Sequence, residues 1–303
     1  MEDITKPMTL VSVCNDNFVV LLCALIKSIE TNKKQQDRID FILVNDHIST
    51  LNLQRIKQCI SDYETHLTII DINAILKVGV SLPLDRSTFP LNVYVRLLIP
   101  SFLPEEVSKA IYLDVDMIVR KDLSTLWNLP LGDHMIGGVP DRSGTISSPW
   151  GGISNYEELG LNGEEKYFNS GLLLINVEEW RKTNLSEQLI KCISENGRFA
   201  NFPDQYGLNV IFAGKWLEID KRWNTYSHDE ELDPFIIHFI GRKPIYRNYD
   251  GNPFYKAEFK KYLHLTPFNA FKELTNLNRY ANKLYHLMEK KWLRYFGKYF
   301  KFL

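Results

Sequence analysis

Apolar runs alternate with amphipathic segments over the N-terminal part of the chain. The runs at Met8–Cys14, Asp40–Val44 and Leu67–Ile70 have the length and composition of buried strands. Between them, Phe18–Thr31 and Ser49–Cys59 place their apolar residues at helical spacing. This β-α-β-α-β order predicts an α/β fold with a mostly parallel sheet, right-handed crossovers and helices on the faces of the sheet.

The rest of the chain continues the pattern. The predicted elements are helices over Leu91–Ile99, from Val177 to Asn196 and over Asp204–Phe212, and strands over 110–115, Met135–Val139, Phe168–Asn176 and Phe235–Phe239. Residues 140–165 are rich in Gly, Ser, Pro and Asn, which predicts a long loop. Because the composition changes near residue 250, we predict a main domain over residues 1–250. A helical, basic and aromatic C-terminal extension would cover residues 251–303.

Two acidic residues, Asp114 and Asp116, interrupt the apolar run at the end of the strand at 110–115. An unpaired carboxylate out of water is costly, so this arrangement requires a reason. Positions i and i+2 of a strand point to the same side, about 7 Å apart. We therefore predict that both carboxylates converge on one divalent cation with a phosphate ligand, at the edge where open α/β sheets bind ligands.

Two other interpretations of this pair stay open at this point. One is a pair of charges at a strand exit that forms ion pairs with Arg120 or Lys121. The other is the aspartyl nucleophile of a haloacid-dehalogenase-type phosphatase, which also follows a strand. That family usually carries its aspartates on the first strand, whereas strand-like runs precede Asp114 here.

Composition narrows the class of protein. The chain has 303 residues, 45% of them apolar, and a net charge of −1, which gives no reason to expect a nucleic-acid partner. Four cysteines show neither close pairing nor metal-ligand spacing, so we expect free thiols and a reducing compartment. No apolar signal segment precedes the first strand, and no apolar run approaches the ~20 residues of a membrane span. We expect a cytoplasmic globular protein.

Two further motifs supply candidate ligands. His238 interrupts an apolar strand, and the next residues include Gly241, Arg242 and Lys243, a combination that suits a diphosphate. A lone histidine in a strand is more often a core residue, but a nitrogen ligand beside two carboxylates would favour Mn²⁺ over Mg²⁺. Gly171, at the start of another apolar strand, would let a ligand approach the backbone closely.

Taken together, these motifs resemble glycosyltransferase family 8, which includes bacterial lipopolysaccharide galactosyl- and glucosyltransferases. The resemblance covers residues 8–250. It is carried by Tyr112–Val119, by Tyr167–Asn176 with Trp180-Arg181 after it, and by His238-Phe239-x-Gly241-x-Lys243-Pro244, in family order and spacing. A phosphatase would need a downstream lysine and an aspartate-bearing strand in a different order, which we do not find.

The resemblance implies a GT-A fold and a retaining transfer of galactose or glucose from a UDP-sugar. The acceptor would be a hydroxyl of a glycan, lipid-glycan or glycoprotein, and the cofactor Mn²⁺, with Mg²⁺ as an alternative. The residues that match the family's functional positions are Asp114, Asp116 and His238 for the metal; Asn15, Asn17, Arg96, Asp114, Val115, Asp116, Gly241 and Lys243 for the nucleotide sugar; and Asp141, Asn169, Asp204 and Gln205 for the reacting sugar.

The chain departs from the family pattern at two of these places. Asn15 stands where the family often has Asp, and Tyr206 follows Gln205 where the family commonly has a second acidic residue. The loss of that carboxylate keeps a second hypothesis open, a catalytically weak protein that binds sugar nucleotides.

The motifs also suggest a mechanism. No carboxylate pair like that of a retaining glycosidase is evident, so we favour attack by the acceptor hydroxyl on the face that the leaving phosphate occupies. The leaving phosphate oxygen would accept the proton, and Gln205 or Asp204 would steady the sugar. A covalent intermediate on Asp204 is the alternative.

The end of the chain, residues 281–303, places six basic residues and one acid among aromatic residues at steps of three and four. This pattern predicts a basic amphipathic helix. It would bind peripherally to the inner face of the membrane, or else pack its aromatic face on the main domain.

Overall fold

The computed structural model of the protein describes residues 7–76 and 91–277, together with residues 280, 284, 287, 288 and 291. The strands are β1 (Met8–Asn15), β2 (Ile39–Asp46), β3 (Thr65–Asp71), β4 (Lys109–Leu113), β5 (Met117–Val119), β6 (Ile136–Thr145), β7 (Lys166–Asn176), β8 (Leu217–Glu218), β9 (Thr225–Tyr226) and β10 (Ile236–His238). The α-helices are α1 (Val19–Asn32), α2 (Thr50–Cys59), α3 (Ile72–Leu76), α4 (Ile99–Phe102), α5 (Ser124–Trp127), α6 (Val177–Lys182), α7 (Leu185–Glu195), α8 (Pro203–Ile211) and α9 (Pro253–Leu263). Short 3₁₀ helices cover Asp16–Phe18, Leu91–Leu98 and Lys221–Asn224.

The main sheet has seven strands in the order β3-β2-β1-β4-β7-β6-β8. The first four strands are parallel, as the alternating pattern predicts, whereas β7 runs antiparallel to both β4 and β6. A second sheet, β5-β10-β9, stands beside the end of β4. The carboxyl ends of β1 and β4 therefore share one edge, and the small sheet lies next to it.

Strand β1 shows why the sheet is a central layer. Alternate residues point to opposite faces of a strand, and here both sets are buried. Leu10 and Cys14 join the apolar core on one face, and Val11 and Val13 join the core on the other. Helices cover both faces, so the strand reads as a continuous apolar run, as is usual for parallel sheets.

Three predicted elements differ from the structure. The segment predicted as one helix over Leu91–Ile99 is a 3₁₀ helix, and α4 follows it with Pro100 in its first turn, where a missing N–H costs little. The helix predicted from Val177 to Asn196 is broken at Asn184, whose φ of 50° lies in the left-handed region. Strand β6 extends to Thr145, into the predicted loop, because pairing with β7 keeps that segment extended.

The predicted free thiols are confirmed: the cysteines Cys14, Cys23, Cys59 and Cys192 are all buried and unpaired. Burial raises the pKa of the Cys14 thiol well above its usual value, with the charges of Asp46 and Asp16 adding to the effect. The Cys14 thiol is therefore a protonated core residue.

The start of the predicted C-terminal extension packs on the main domain. Buried aromatic residues of α9, among them Tyr255 and Phe259, share one apolar cluster with Leu21 and Ala24 of α1. The division near residue 250 stays a prediction. The predicted amphipathic helix falls almost wholly outside the described residues. Among the residues that are described, no helix is long and apolar enough to cross the hydrocarbon core of a membrane.

The contact between α9 and α1 can be tested by comparing two phenylalanines of α9. Phe259 is 2% exposed and Phe254 is 48% exposed. We expect Phe259→Ala to lower the free energy of unfolding by about 3–5 kcal/mol, because it leaves a cavity in a packed cluster. The control Phe254→Ala should cost under about 1 kcal/mol. Urea unfolding followed by circular dichroism measures both, and equal effects would show that α9 is not part of the folded core.

Candidate active site and metal centre

The three predicted metal ligands lie together at the end of β4. Strand β4 ends at Leu113, and β5 then pairs antiparallel with β10 so that Met117 lies opposite His238. This pairing places the Asp114–Asp116 turn over the imidazole. The Nε2 atom of His238 is 3.4 Å from Oδ1 of Asp116 and 3.8 Å from Oδ2 of Asp114. One ligand atom from each residue falls within 4.8 Å of the other two, the spacing of a cation site.

Gly171 lets β7 pass directly beneath this cluster. A Cβ at this position would meet Cε1 of His238 at 2.5 Å and Oδ2 of Asp114 at 2.9 Å. Its carbonyl accepts the N–H of Asp114 at 2.8 Å, which fixes the start of the acidic turn. The glycine predicted as a point of close approach is therefore required by the ligand cluster itself.

Two cations balance the carboxylates. Arg96, from the 3₁₀ helix Leu91–Leu98, donates from Nη2 to Oδ1 of Asp114 at 2.9 Å. The ammonium of Lys243 contacts the carboxylate of Asp116 and also donates to the carbonyl of Phe239 at 2.7 Å. The ammonium of Lys243 thus compensates the charge of the Asp116 carboxylate.

The electrostatic environments of the two aspartates differ. Burial raises the pKa of Asp114 above its ordinary value, although Arg96 opposes this effect. Burial also acts to raise the pKa of Asp116, but Lys243 and His238 outweigh it and hold that pKa well below the usual range. Asp116 is thus firmly ionised.

The alternative of ion pairs at the strand exit is wrong in its partners. Arg120 forms its ion pair with Glu258, with 3.1 Å between Nε and Oε2. Lys121 lies 3.8 Å above the ring of Phe235. The cations that pair with Asp114 and Asp116 are instead Arg96 and Lys243.

Three of the four residues predicted to face the reacting sugar are joined by direct hydrogen bonds, and Ser170 links the fourth, Asp204, to Gln205. Asn169 donates from Nδ2 to Asp141 at 3.1 Å and to Oε1 of Gln205 at 3.0 Å. Asp204 accepts from the hydroxyl of Ser170 at 2.8 Å and forms an ion pair with Arg96 at 3.2 Å. Arg96 therefore bridges the predicted metal ligands, through Asp114, and the predicted sugar-facing group, through Asp204. We call these the metal side and the sugar side of the site.

The residues predicted to bind the nucleotide sugar lie along the same edge. Asn15 ends β1 and accepts the N–H of the exposed Asn17 at 3.1 Å, which shapes the turn after the strand. Val115 is half-buried between the two aspartates. Gly241, with a φ of 73°, takes the left-handed conformation that glycine allows without strain and leads into Lys243.

Tyr206 points away from this site. Its side chain is 2% exposed, and its hydroxyl donates to Oδ1 of Asn155 at 2.9 Å. Asn155 in turn donates to Asn196 at 3.0 Å. The residue that departs from the family's acidic pattern therefore anchors the segment after β6 to α8, while Gln205 faces the site.

Sequence patterns missed several residues that the fold brings to the site. Asn224 lies between Asn169 and His238, with its Nδ2 2.9 Å from Oδ1 of Asn169 and its Oδ1 2.8 Å from Nδ1 of His238. The hydroxyl of Tyr226 donates to Asp141 at 3.1 Å. Asn224 ends a 3₁₀ helix and Tyr226 follows that helix, in a segment with no regular periodicity. Only the pairing of β9 with β10 therefore reveals their position.

Known proteins have sequences similar to this chain over most of its length. General stress protein A of Bacillus subtilis (strain 168) is 25% identical over 284 residues, which cover 87% of this chain and 95% of that protein. A lipopolysaccharide 1,2-glucosyltransferase of Escherichia coli is 24% identical over 286 residues, covering 91% of this chain and 80% of that protein.

Solved structures share the fold. The galactosyltransferase LgtC, in complex with donor and acceptor sugar analogues, superposes with a TM-score of 0.69 at 23% identity, over 86% of this chain and 96% of that chain. The bifunctional glycosyltransferase WbbM gives a TM-score of 0.73 at 22% identity, over 88% of this chain, which spans 51% of the WbbM chain. The fold is thus that of the GT-A glycosyltransferases. The family model described as Glycosyl transferase family 8 matches residues 9–244, so the chain belongs to glycosyltransferase family 8.

Proposed function

We propose that this glycosyltransferase is a retaining hexosyltransferase that moves galactose or glucose from a UDP-sugar to a hydroxyl of a glycan, lipid-glycan or glycoprotein. The observation that carries the proposal is the cluster of Asp114, Asp116 and His238 beside Lys243. Two relatives are named for transferring these sugars, one as a glucosyltransferase and one as a galactosyltransferase. Membership of this family leaves the phosphatase hypothesis without support.

The ligand atoms of this cluster suit Mn²⁺, with Mg²⁺ as the alternative. Asp114 and Asp116 offer hard oxygen ligands, and His238 offers a nitrogen that favours Mn²⁺. A metal ion bound there would neutralise charge on the diphosphate of the donor. Gly171 makes room for these ligands, because a Cβ at this position would collide with His238 and Asp114.

The protein's own residues would stabilise the leaving group and orient the sugar. In the proposed step the bond from the anomeric carbon to the phosphate oxygen breaks, the acceptor oxygen bonds to that carbon, and its proton passes to the phosphate oxygen. Lys243 and the backbone at Gly241 would bind the diphosphate, where charge develops. Asn169 and Gln205 would contact the sugar. The hydrogen bond between them and the one from Asn169 to Asp141 would hold their side chains in position.

The surroundings of Asp204 support attack by the acceptor over a covalent intermediate. Arg96 and Ser170 both engage its carboxylate, and the side chain is 9% exposed. A carboxylate held in this way is a weak nucleophile, because attack would forfeit its ion pair and its hydrogen bond. Asp204 would therefore hold Arg96 in position, which also contacts Asp114, and would not bond to the sugar itself.

The acceptor would enter beside the loop that contains Gly241 and Lys243, the residues proposed to bind the diphosphate. A cavity of about 220 Å³ lies there, lined by Arg142, His228, Ile240, Gly241, Arg242 and Asp250. Arg142 follows Asp141 directly, and its guanidinium lies 4.2 Å above the exposed ring of Trp150. An aromatic ring and polar side chains beside the reacting centre suit a sugar acceptor. A cytoplasmic location and peripheral membrane binding remain part of this proposal.

The metal assignment predicts the effect of Asp116→Asn. Removing a charged ligand should weaken Mn²⁺ binding by more than the roughly 10–100-fold that residues hydrogen-bonded to the ligands typically contribute. Transfer should fall with it, while the protein stays folded. UDP release from UDP-galactose and UDP-glucose, with and without acceptor, measures activity. The matched control is the exposed Asp133→Asn. Full UDP release after EDTA treatment would contradict the metal role, and metal-dependent UDP binding without release would support the weak-binder alternative.

The acceptor assignment predicts the effect of Arg142→Ala. Loss of one charge-assisted contact should raise the acceptor KM by about 10–150-fold, because such a bond contributes about 1.5–3 kcal/mol. The affinity for UDP with Mn²⁺ should stay unchanged. Arg198→Ala is the control, since Arg198 also stacks on an aromatic ring, 4.4 Å above Phe199, away from the site. A loss of UDP affinity in Arg142→Ala would place this arginine on the donor side instead.

A further inference from the structure

Asn224 occupies a buried position between the metal side and the sugar side of the site. It ends the 3₁₀ helix Lys221–Asn224 and is 3% exposed. Its two amide atoms face different partners, with Oδ1 toward His238 and Nδ2 toward Asn169. A buried amide with a partner on each side transmits the orientation of one neighbour to the other.

The orientation of Asn169 follows from donors and acceptors that cannot exchange roles. The N–H of Gly171 lies 3.0 Å from Oδ1 of Asn169, so an oxygen must face it. The Nδ2 group then points to the carboxylate of Asp141 at 3.1 Å, which accepts when ionised. The backbone donor and the acidic acceptor together fix this amide.

The orientation of Asn169 in turn fixes the proton on His238. Because Oδ1 of Asn169 accepts, Asn224 must present its Nδ2 group there and its Oδ1 to the imidazole. The Nδ1 atom of His238, 2.8 Å from that oxygen, must then carry a proton. The neutral imidazole is left with its lone pair on Nε2, the atom that faces Asp114 and Asp116.

We propose that Asn224 is a positioning residue that takes its orientation from Asn169 and thereby sets the tautomer of His238. It thereby couples the binding of the metal to the arrangement of the sugar-facing group. This inference rests on the proposed metal centre. A ligand histidine generally donates its second N–H to such a partner, and loss of the partner typically costs 10–100-fold in metal affinity.

Three variants separate this role from simple packing. Asn224→Ala removes both hydrogen bonds. Asn224→Asp keeps an oxygen for the imidazole N–H but sets a second oxygen against Oδ1 of Asn169. Asn155→Ala is the matched control, because Asn155 is also 3% exposed and also hydrogen-bonds two side chains, those of Tyr206 and Asn196.

Mn²⁺ affinity is measured on the donor-free proteins by electron paramagnetic resonance titration. We expect Asn224→Ala to weaken Mn²⁺ binding by about 10–100-fold, while Asn155→Ala leaves it unchanged at a comparable loss of melting temperature. Asn224→Asp should keep the affinity within a few-fold of the parent and yet lower the rate of sugar transfer. An Mn²⁺ affinity in Asn224→Ala equal to that of the parent would overturn the proposal.

The tautomer provides a readout that needs no metal. Long-range ¹H–¹⁵N spectra of the metal-free protein, at a pH where the imidazole is neutral, should show His238 protonated on Nδ1 in the parent and in Asn155→Ala. The proton should redistribute between the two nitrogens in Asn224→Ala. A proton on Nε2 in the parent would overturn the proposal. If the parent binds no Mn²⁺ but shows the expected tautomer, the proposed metal function fails and the positioning by Asn224 stands.

Discussion

The placement of two carboxylates in a partly buried turn at the end of β4 is the constraint on which the site depends. Burying such charges is costly unless cations and hydrogen bonds compensate them. The fold supplies that compensation from distant parts of the chain, with Arg96 on Asp114 and Lys243 on Asp116. The small sheet exists at this edge because β10 pairs with β5 and brings His238 over the turn.

The same charges link the separate parts of the site. Arg96 contacts both Asp114 and Asp204, and the amide of Asn224 joins His238 to Asn169. A group held through several partners keeps its geometry before a substrate arrives, which is how preorganised sites stabilise developing charge. The site therefore acts as one connected network, and the effects of substitutions at residues in contact within it should not be additive.

Much of this arrangement could be predicted from the sequence, because each motif lies next to a strong apolar run. The strand before Asp114, the strand around His238 and the close approach at Gly171 all follow from periodicity and chemistry, and the resemblance to a known family joined them. The antiparallel insertion of β7 could not be predicted, since an apolar run carries no direction. Asn224 and Tyr226 could not be found either, because their roles arise only when β9 pairs with β10.

The proposed metal centre requires that an imidazole nitrogen and two carboxylates hold the metal. Electron spin-echo envelope modulation of Mn²⁺ bound to the protein tests this directly, because it detects nitrogen nuclei in contact with the ion. We expect modulation from a single ¹⁴N ligand that disappears in His238→Ala while the protein stays folded. Bound Mn²⁺ with no nitrogen modulation, or modulation that survives that substitution, would contradict it.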